Sequence, residues 1–363
     1  MGLGDQFEYL SLGRHLLHEH ELKFYDARFG QWIYSYRTPG YPGFVALCGG
    51  NVRVVQLAQA LIDVSTVIAI YLLSKRSLVA AVVVVFNPFA IYFSALVLSE
   101  TAFTAILAWG LYFLMGRKWV IAGLAMLALS VLIRPSAMGL VVLLGGAVAW
   151  PMGWRAVARN VAIGVGLVLV VLFPWAYRNA HHPHVGAWVW TTTNGGITLY
   201  DGFHDLAKGG SNQESFLNLK GMKTLLSRMD EVERDEFLAG EAHGWIRSHP
   251  GRSLELMVLK IARTWSPIPL SDEYGGNRLY VLVGLLYSVP FDALILLGLW
   301  KGALARSAKV LLLIPAIYFT GIHALSVGSL RYRLPAEPPM ALIVGSWASY
   351  ALGTRHGPSR RES

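Results

Sequence analysis

Of the 363 residues, 54% are apolar and only 15% are charged, and the mean hydropathy is +0.46. An average soluble domain carries about 25% charged residues, so an ordinary soluble domain and a disordered chain are both excluded. The net charge of +9 would suggest a nucleic-acid partner in a soluble protein, and the single cysteine, Cys48, excludes an intramolecular disulfide and a cysteine-based zinc site.

In chain order, residues 1–51 are mixed in character and begin with an amphipathic stretch. Phe7, Leu10 and Leu17 fall on one side, and Glu8, Arg14 and His18 elsewhere. Such a stretch is expected to lie along a membrane interface. Nine apolar segments follow, at 52–73, 78–95, 99–115, 119–133, 137–151, 158–176, 279–299, 308–326 and 335–352. A helix needs roughly 20 residues to cross the hydrocarbon core, and open backbone cannot face lipid. The expected fold is therefore an all-α polytopic membrane bundle of about nine transmembrane helices. Its parts would be a first outer region (1–51), helices over 52–176, a large outer loop (177–278), helices over 279–352 and a tail (353–363).

Charge sets the orientation. Lys75 and Arg76, Arg117 and Lys118, Arg155 and Arg159, Lys301, Arg306 and Lys309, and Arg355, Arg360 and Arg361 all fall on alternate connections. These twelve basic residues face one acid, Glu362, and the positive-inside rule places them in the cytoplasm. The two large outer regions are nearly neutral. The +9 is thus mostly topology, and no nucleic acid is needed to explain it. No signal peptide or membrane helix precedes the first outer region, which predicts a further helix upstream in the natural chain.

Four stretches carry a resemblance. They are Gly4-Asp5-Gln6-Phe7-Glu8-Tyr9; Arg37-Thr38-Pro39-Gly40-Tyr41-Pro42; Pro174-Trp175-Ala176-Tyr177-Arg178-Asn179, leading to Thr193-Asn194-Gly195-Gly196; and Arg331-Tyr332-Arg333-Leu334-Pro335. This layout resembles the GT-C membrane glycosyltransferases, in the bacterial branch similar to protein mannosyltransferases and aminoarabinose transferases. The resemblance implies a GT-C-like bundle lacking one N-terminal helix. It also implies an enzyme of the inner membrane with its active site on the periplasmic side. A polyprenyl-phosphate sugar would be the donor, and a glycolipid, glycan or protein the acceptor.

That chemistry needs a carboxylate to position or deprotonate the acceptor and cations to hold the leaving phosphate. Asp5 matches the family's first outer acidic residue and is the expected base. Its spacing to Glu8 also fits a helix capping box. Glu8, one turn on, would bind the acceptor or a divalent metal, or be a solvated acid. No cofactor is otherwise implied. Arg37 precedes a turn stiffened by two prolines and a glycine, which suits bidentate phosphate binding. Arg331 and Arg333 lie on the outer side against the charge trend and are further phosphate candidates, with pairing to Glu337 as the structural alternative. Tyr9, Tyr41, Glu100, Arg134, Arg178 and Asn194 are expected to line the site.

Other signals are weaker. Asp63 and Asp292 inside spans read as helix–helix contacts or a polar floor. His181-His182-Pro183-His184 lacks the spacing of a helix-borne metal pair. No Walker loop, dinucleotide fingerprint or HExxH motif occurs. The rivals are a transporter or flippase of lipid-linked sugars, and a non-catalytic relative. The concentration of polar residues in the outer regions favours outside chemistry.

Overall fold

The computed structural model describes residues 4–116, 119–270 and 276–351. The basic pair Arg117 and Lys118 and the tail with Arg355, Arg360 and Arg361 lie outside the described residues. The chain is an all-α polytopic membrane protein. Its first region holds α1 (Gly4–Glu19), a hairpin of β1 (Phe24–Asp26) and β2 (Gln31–Ile33), and α2 (Gly40–Leu47). Next come α3 (Val52–Leu73), α4 (Leu78–Val85), α5 (Pro88–Ser94), α6 (Glu100–Met115), α7 (Val120–Ser130), α8 (Met138–Ala149) and α9 (Trp154–His181). The large loop contains α10 (Gly195–Gly202), α11 (Gln213–Leu217), α12 (Met222–Leu226), α13 (Glu231–Ser248) and α14 (Pro250–Thr264). The chain closes with α15 (Arg278–Lys301), α16 (Arg306–Ala324), a 3-10 turn (Leu330–Ala336) and α17 (Glu337–Ala351).

Five helical stretches among the described residues are long and apolar enough to cross a membrane: Val52–Leu73, Pro135–Met152, Trp154–His181, Arg278–Lys301 and Arg306–Ala324. Two further apolar helices, α6 and α7, are shorter. The apolar run 78–95 is two helices. Pro88 lacks an N–H and cannot continue α4, and Asn87 starts α5 instead by accepting hydrogen bonds from Phe89 N and Ala90 N. The Asn87 amide also donates to Glu337 Oε2. The break therefore ties α5 to the start of α17.

Two apolar cores organise the bundle. Leu107, Leu111, Leu124, Leu127, Leu144 and Leu172 join α6 through α9. Ile70, Val84, Phe291, Leu312, Met340 and Ile343 join α3 and α4 to α15, α16 and α17. The opposite face of α3 exposes Leu57, Leu61, Val64 and Ile68, and α9 exposes Leu169, Val170 and Phe173. Continuous exposed apolar faces of this kind suit contact with lipid. The first region and the large loop share a core of their own. Leu12, Leu22, Phe24 and Tyr36 of the first region pack there with Phe216, Leu226 and Leu238 of the large loop.

Candidate active site

The site is assembled by short-range ties between distant segments. Gly40 N–H donates to Leu132 O at 2.8 Å. A Cβ on Gly40 would stand 2.6 Å from that oxygen, so only glycine lets the Arg37–Pro42 turn sit against the end of α7. This brings Arg37 and Arg134 to one cavity. Glu231, at the start of α13, accepts hydrogen bonds from Tyr34 N and Ser35 N (3.0 Å each) and from Thr193 Oγ1 (2.7 Å). That buried carboxylate clamps the 191–196 turn beside Tyr36 and Arg37.

The cavity so formed has a volume of about 990 Å³, the size of a small-molecule site. Asp5, Glu8, Tyr9, Arg37, Glu100, Arg134, Asn194 and Arg331 all line it. Asp5 bridges two cations. Its Oδ1 accepts from Arg37 Nη2 at 2.9 Å and its Oδ2 from Arg331 Nη2 at 2.7 Å. Glu8 Oε2 takes the other edge of Arg37, at 2.6 Å from Nη2 and 3.0 Å from Nε. Asp5 and Glu8 thus turn to guanidiniums, and α1 already includes Asp5 in its first turn. The capping-box arrangement is not adopted.

Charge coupling is strong here. Burial alone would push the Asp5 carboxyl up, but Arg331 and Arg37 hold it well below the usual carboxylate range. Burial opposes the charge on each guanidinium as well. Glu8 and Asp5 keep Arg37 firmly protonated, and Tyr332, Asp5 and Glu100 do so for Arg331. Glu100 is almost fully buried and stands 3.6 Å from both Arg331 Nε and Arg134 Nη1. Those distances are ion pairs without hydrogen bonds, and Arg134 Nη1 has no hydrogen-bond partner among the described residues.

Three expected residues lie elsewhere. Arg333 is buried among Glu337 Oε1 (2.7 Å), Ser288 Oγ (2.6 Å) and Ser266 O (3.2 Å), away from the cavity lining. Tyr41 is buried with its hydroxyl on Gln59 Oε1 at 2.6 Å. Arg178 donates to Tyr34 O (3.1 Å) and Asn179 Oδ1 (3.0 Å), pinning the first region to the end of α9. All three brace the site from behind. In the 191–196 turn the Gly196 N–H is committed to Asp235, so that backbone group is not open to an anion.

The histidine run splits: the His182 and His184 rings stay 5.8 Å apart, both against Tyr34, while His181 turns away. His181 stacks on Tyr177, His182 pairs with Glu21 at 3.2 Å, and His184 stacks on Tyr34. Among the described residues no group of three His, Cys, Asp or Glu side chains comes together to hold a metal.

Several cavity residues escaped the sequence reading. Arg28 grips Asp26 with two nitrogens and reaches both Glu8 and Gln213. His323, 7% exposed near the end of α16, stacks flat on Tyr332 with centroids 3.7 Å apart and rings 3° from parallel. Tyr332 in turn lies under the Arg331 and Arg134 guanidiniums, at 5.0 and 5.7 Å. Tyr36 and Tyr332, the sequence neighbours of Arg37 and Arg331, also line the cavity. A histidine in an apolar helix carried no sequence signal.

No family model matches the chain, and no curated protein matches it. Among solved structures, the crystal structure of ArnT from Cupriavidus metallidurans bound to undecaprenyl phosphate is similar to it, at 15% identity and a TM-score of 0.38, over 97% of this chain and 74% of that one.

Proposed function

We propose that the chain is a membrane glycosyltransferase that moves a sugar from a polyprenyl-phosphate carrier to an acceptor hydroxyl. The observation that carries this reading is the Asp5 carboxylate held between Arg37 and Arg331 in a cavity of substrate size. A base beside two fixed guanidiniums is what the transfer demands. The acceptor oxygen attacks the anomeric carbon, Asp5 takes its proton, and the bond from that carbon to the phosphate oxygen breaks. The electron pair leaves on the phosphate, where Arg37 and Arg331 stabilise the charge. Planar guanidiniums suit a phosphate through paired hydrogen bonds. The four sequence motifs around Asp5, Arg37, Arg178 and Arg331 support the same assignment.

With Arg37 and Arg331 both on its carboxylate, Asp5 is held well below the usual carboxylate range. A phosphate competing for Arg37 and Arg331 frees a carboxylate oxygen and raises its basicity, so donor binding prepares the base. Glu100 and Arg134 extend the charged side, and Glu8 holds Arg37 in register. The outer regions, 1–51 and 177–278, would share one face of the inner membrane, the periplasmic one, with the tail of 353–363 in the cytoplasm. The acceptor would be a glycan, glycolipid or protein on that face. Incubation of the purified protein with radiolabelled polyprenyl-phosphate sugar tests the reading. Transfer of label to an acceptor, with release of polyprenyl phosphate, supports it. Movement of intact carrier across a vesicle membrane without bond cleavage contradicts it.

A further inference from the structure

Helix α14 presents three faces around its axis. Ser253, Leu256, Lys260 and Thr264 recur at helical spacing and are buried against the rest of the protein. Leu254, Val258 and Ile261 form a second face that is apolar, yet 63, 59 and 38% exposed. Arg252, Glu255 and Arg263 form the third. There Arg252 pairs with Glu255, and Arg263 donates to Leu270 O at 3.1 Å. At 3.6 residues per turn the three faces stand roughly 120° from one another. A helix packed on a protein and otherwise in water needs one apolar face, against the core. The second one calls for an apolar neighbour of its own.

Two ties set the depth of α14 along the bundle. Trp265, the residue that ends α14, donates its indole N–H to Thr320 Oγ1 at 2.8 Å. Thr320 lies one turn before the end of the spanning helix α16. A Cβ on Gly284 would stand 2.6 Å from Pro267 O, and Gly284 lies less than two turns inside the start of the spanning helix α15. At 1.5 Å per residue these contacts sit roughly 6 and 9 Å inward from the two helix ends. That is the depth at which an amphipathic helix rests between headgroups and acyl chains. The apolar surface continues into α15, where Leu279, Leu282 and Leu286 are exposed. The helix is also seated on the turn that leads to Arg331. Gly328 N donates to Gly209 O at 2.8 Å, and a Cβ at 328 would stand 2.4 Å from Lys260 O.

We infer that α14 lies flat in the lipid–water interface. Leu254, Val258 and Ile261 enter the upper acyl layer, and Arg252, Glu255 and Arg263 stay at the level of the phosphate headgroups. The depth of the two ties and the adjoining leucines of α15 select phospholipid as the occupant of the apolar face, rather than another protein. The inference stands whatever reaction the cavity performs.

Site-directed nitroxide labelling of the full chain tests it. Cys48 is the single cysteine, so C48S gives a clean background for L254C, V258C, I261C, E255C and, as a water-facing reference on α13, E236C. All five positions are exposed, so the variants are expected to fold, and melting curves against C48S check this. Each labelled protein is reconstituted into bilayers of phosphatidylethanolamine and phosphatidylglycerol. Collision rates are then measured with oxygen, which concentrates in lipid, and with a water-soluble nickel chelate. The oxygen-to-nickel ratio at 254, 258 and 261 should exceed that at 236 severalfold, and the ratio at 255 should fall below all three. Nickel access at 254, 258 and 261 equal to that at 236 places the apolar face in water and overturns the inference. Protection of those three labels from both reagents means that a second copy or another protein covers the face, and overturns it too.

Discussion

Asp5 Oδ2 and Arg331 Nη2 meet at 2.7 Å across 326 positions of sequence. One residue lies in the first helix and the other precedes the last, so the contact closes the two ends of the described chain around the cavity. Because Arg37 holds the other carboxylate oxygen, Asp5 titrates far below an ordinary carboxyl. The sign of the linkage follows. A depressed carboxyl pKa contributes stability that is fully present above the unfolded value and is lost as pH falls through the folded one.

Removing one cation should therefore change both rate and acidity. The R331Q variant is expected to lose about a hundredfold or more in transfer, the scale of one lost charge-stabilising donor. With only Arg37 beside it, Asp5 should protonate at higher pH, so the acid limb of kcat/KM should move upward. A pH–rate profile checks both effects. An unshifted acid limb in R331Q would separate that limb from Asp5.

The neighbouring arginine should behave differently. Arg333 and Glu337 are both almost fully buried and pair at 2.7 Å. R333M leaves Glu337 as an uncompensated buried charge, a loss on the order of 3–5 kcal/mol. R333M/E337M removes both charges and should recover most of that stability. Thermal unfolding in detergent distinguishes the three proteins. A phosphate-binding role for Arg333 would instead show as a loss of carrier affinity at unchanged melting temperature.

Lys260 of α14 is a second buried charge with a pH signature. It is fully buried, its Nζ sits 3.2 Å from the centroid of the Phe203 ring, and it has no hydrogen-bond partner among the described residues. Burial pushes its amine down to about 7, against the opposing pull of Asp201. The unfolded chain then binds the extra proton between about 7 and 10.5, so this residue makes stability rise with pH across that window. K260M should abolish that part of the slope, read as the difference between wild-type and variant melting temperatures from pH 6.5 to 10.

The flat His323–Tyr332 stack predicts a contrast between two substitutions. Y332F keeps the ring under the two guanidiniums and over the imidazole, and should stay within about threefold of wild-type activity, since it loses one weak hydrogen bond. Y332A removes the surface that holds His323 and both arginines, and should lose at least tenfold by the same scale of summed contacts. Steady-state kinetics on the two variants, with melting curves as controls, reads the difference.

The apolar runs made the helices legible because lipid and core both demand them, but the single segment expected over 78–95 divides at Asn87-Pro88 into two helices, a break that apolar composition does not reveal. Asp5, Glu8 and Arg37 were legible as a group from two short motifs, and the structure brings all three into contact. Arg331 stood out as a cation on the outer side, but so did Arg333. The difference between them is local geometry. They fall two positions apart in the 3-10 turn Leu330–Ala336, where each residue advances the side chain by about 120°. The two guanidiniums therefore point apart, one to Asp5 and one to Glu337. Arg28 and His323 depend on tertiary contacts between regions far apart in sequence, and no spacing pattern announces them.

The central claim is that Asp5 takes the acceptor proton while Arg37 and Arg331 hold the phosphate. Purified D5N, given radiolabelled polyprenyl-phosphate sugar and acceptor, measures it most directly. The account predicts a folded protein that binds the carrier and transfers no label above background. Transfer by D5N at the wild-type rate would contradict it.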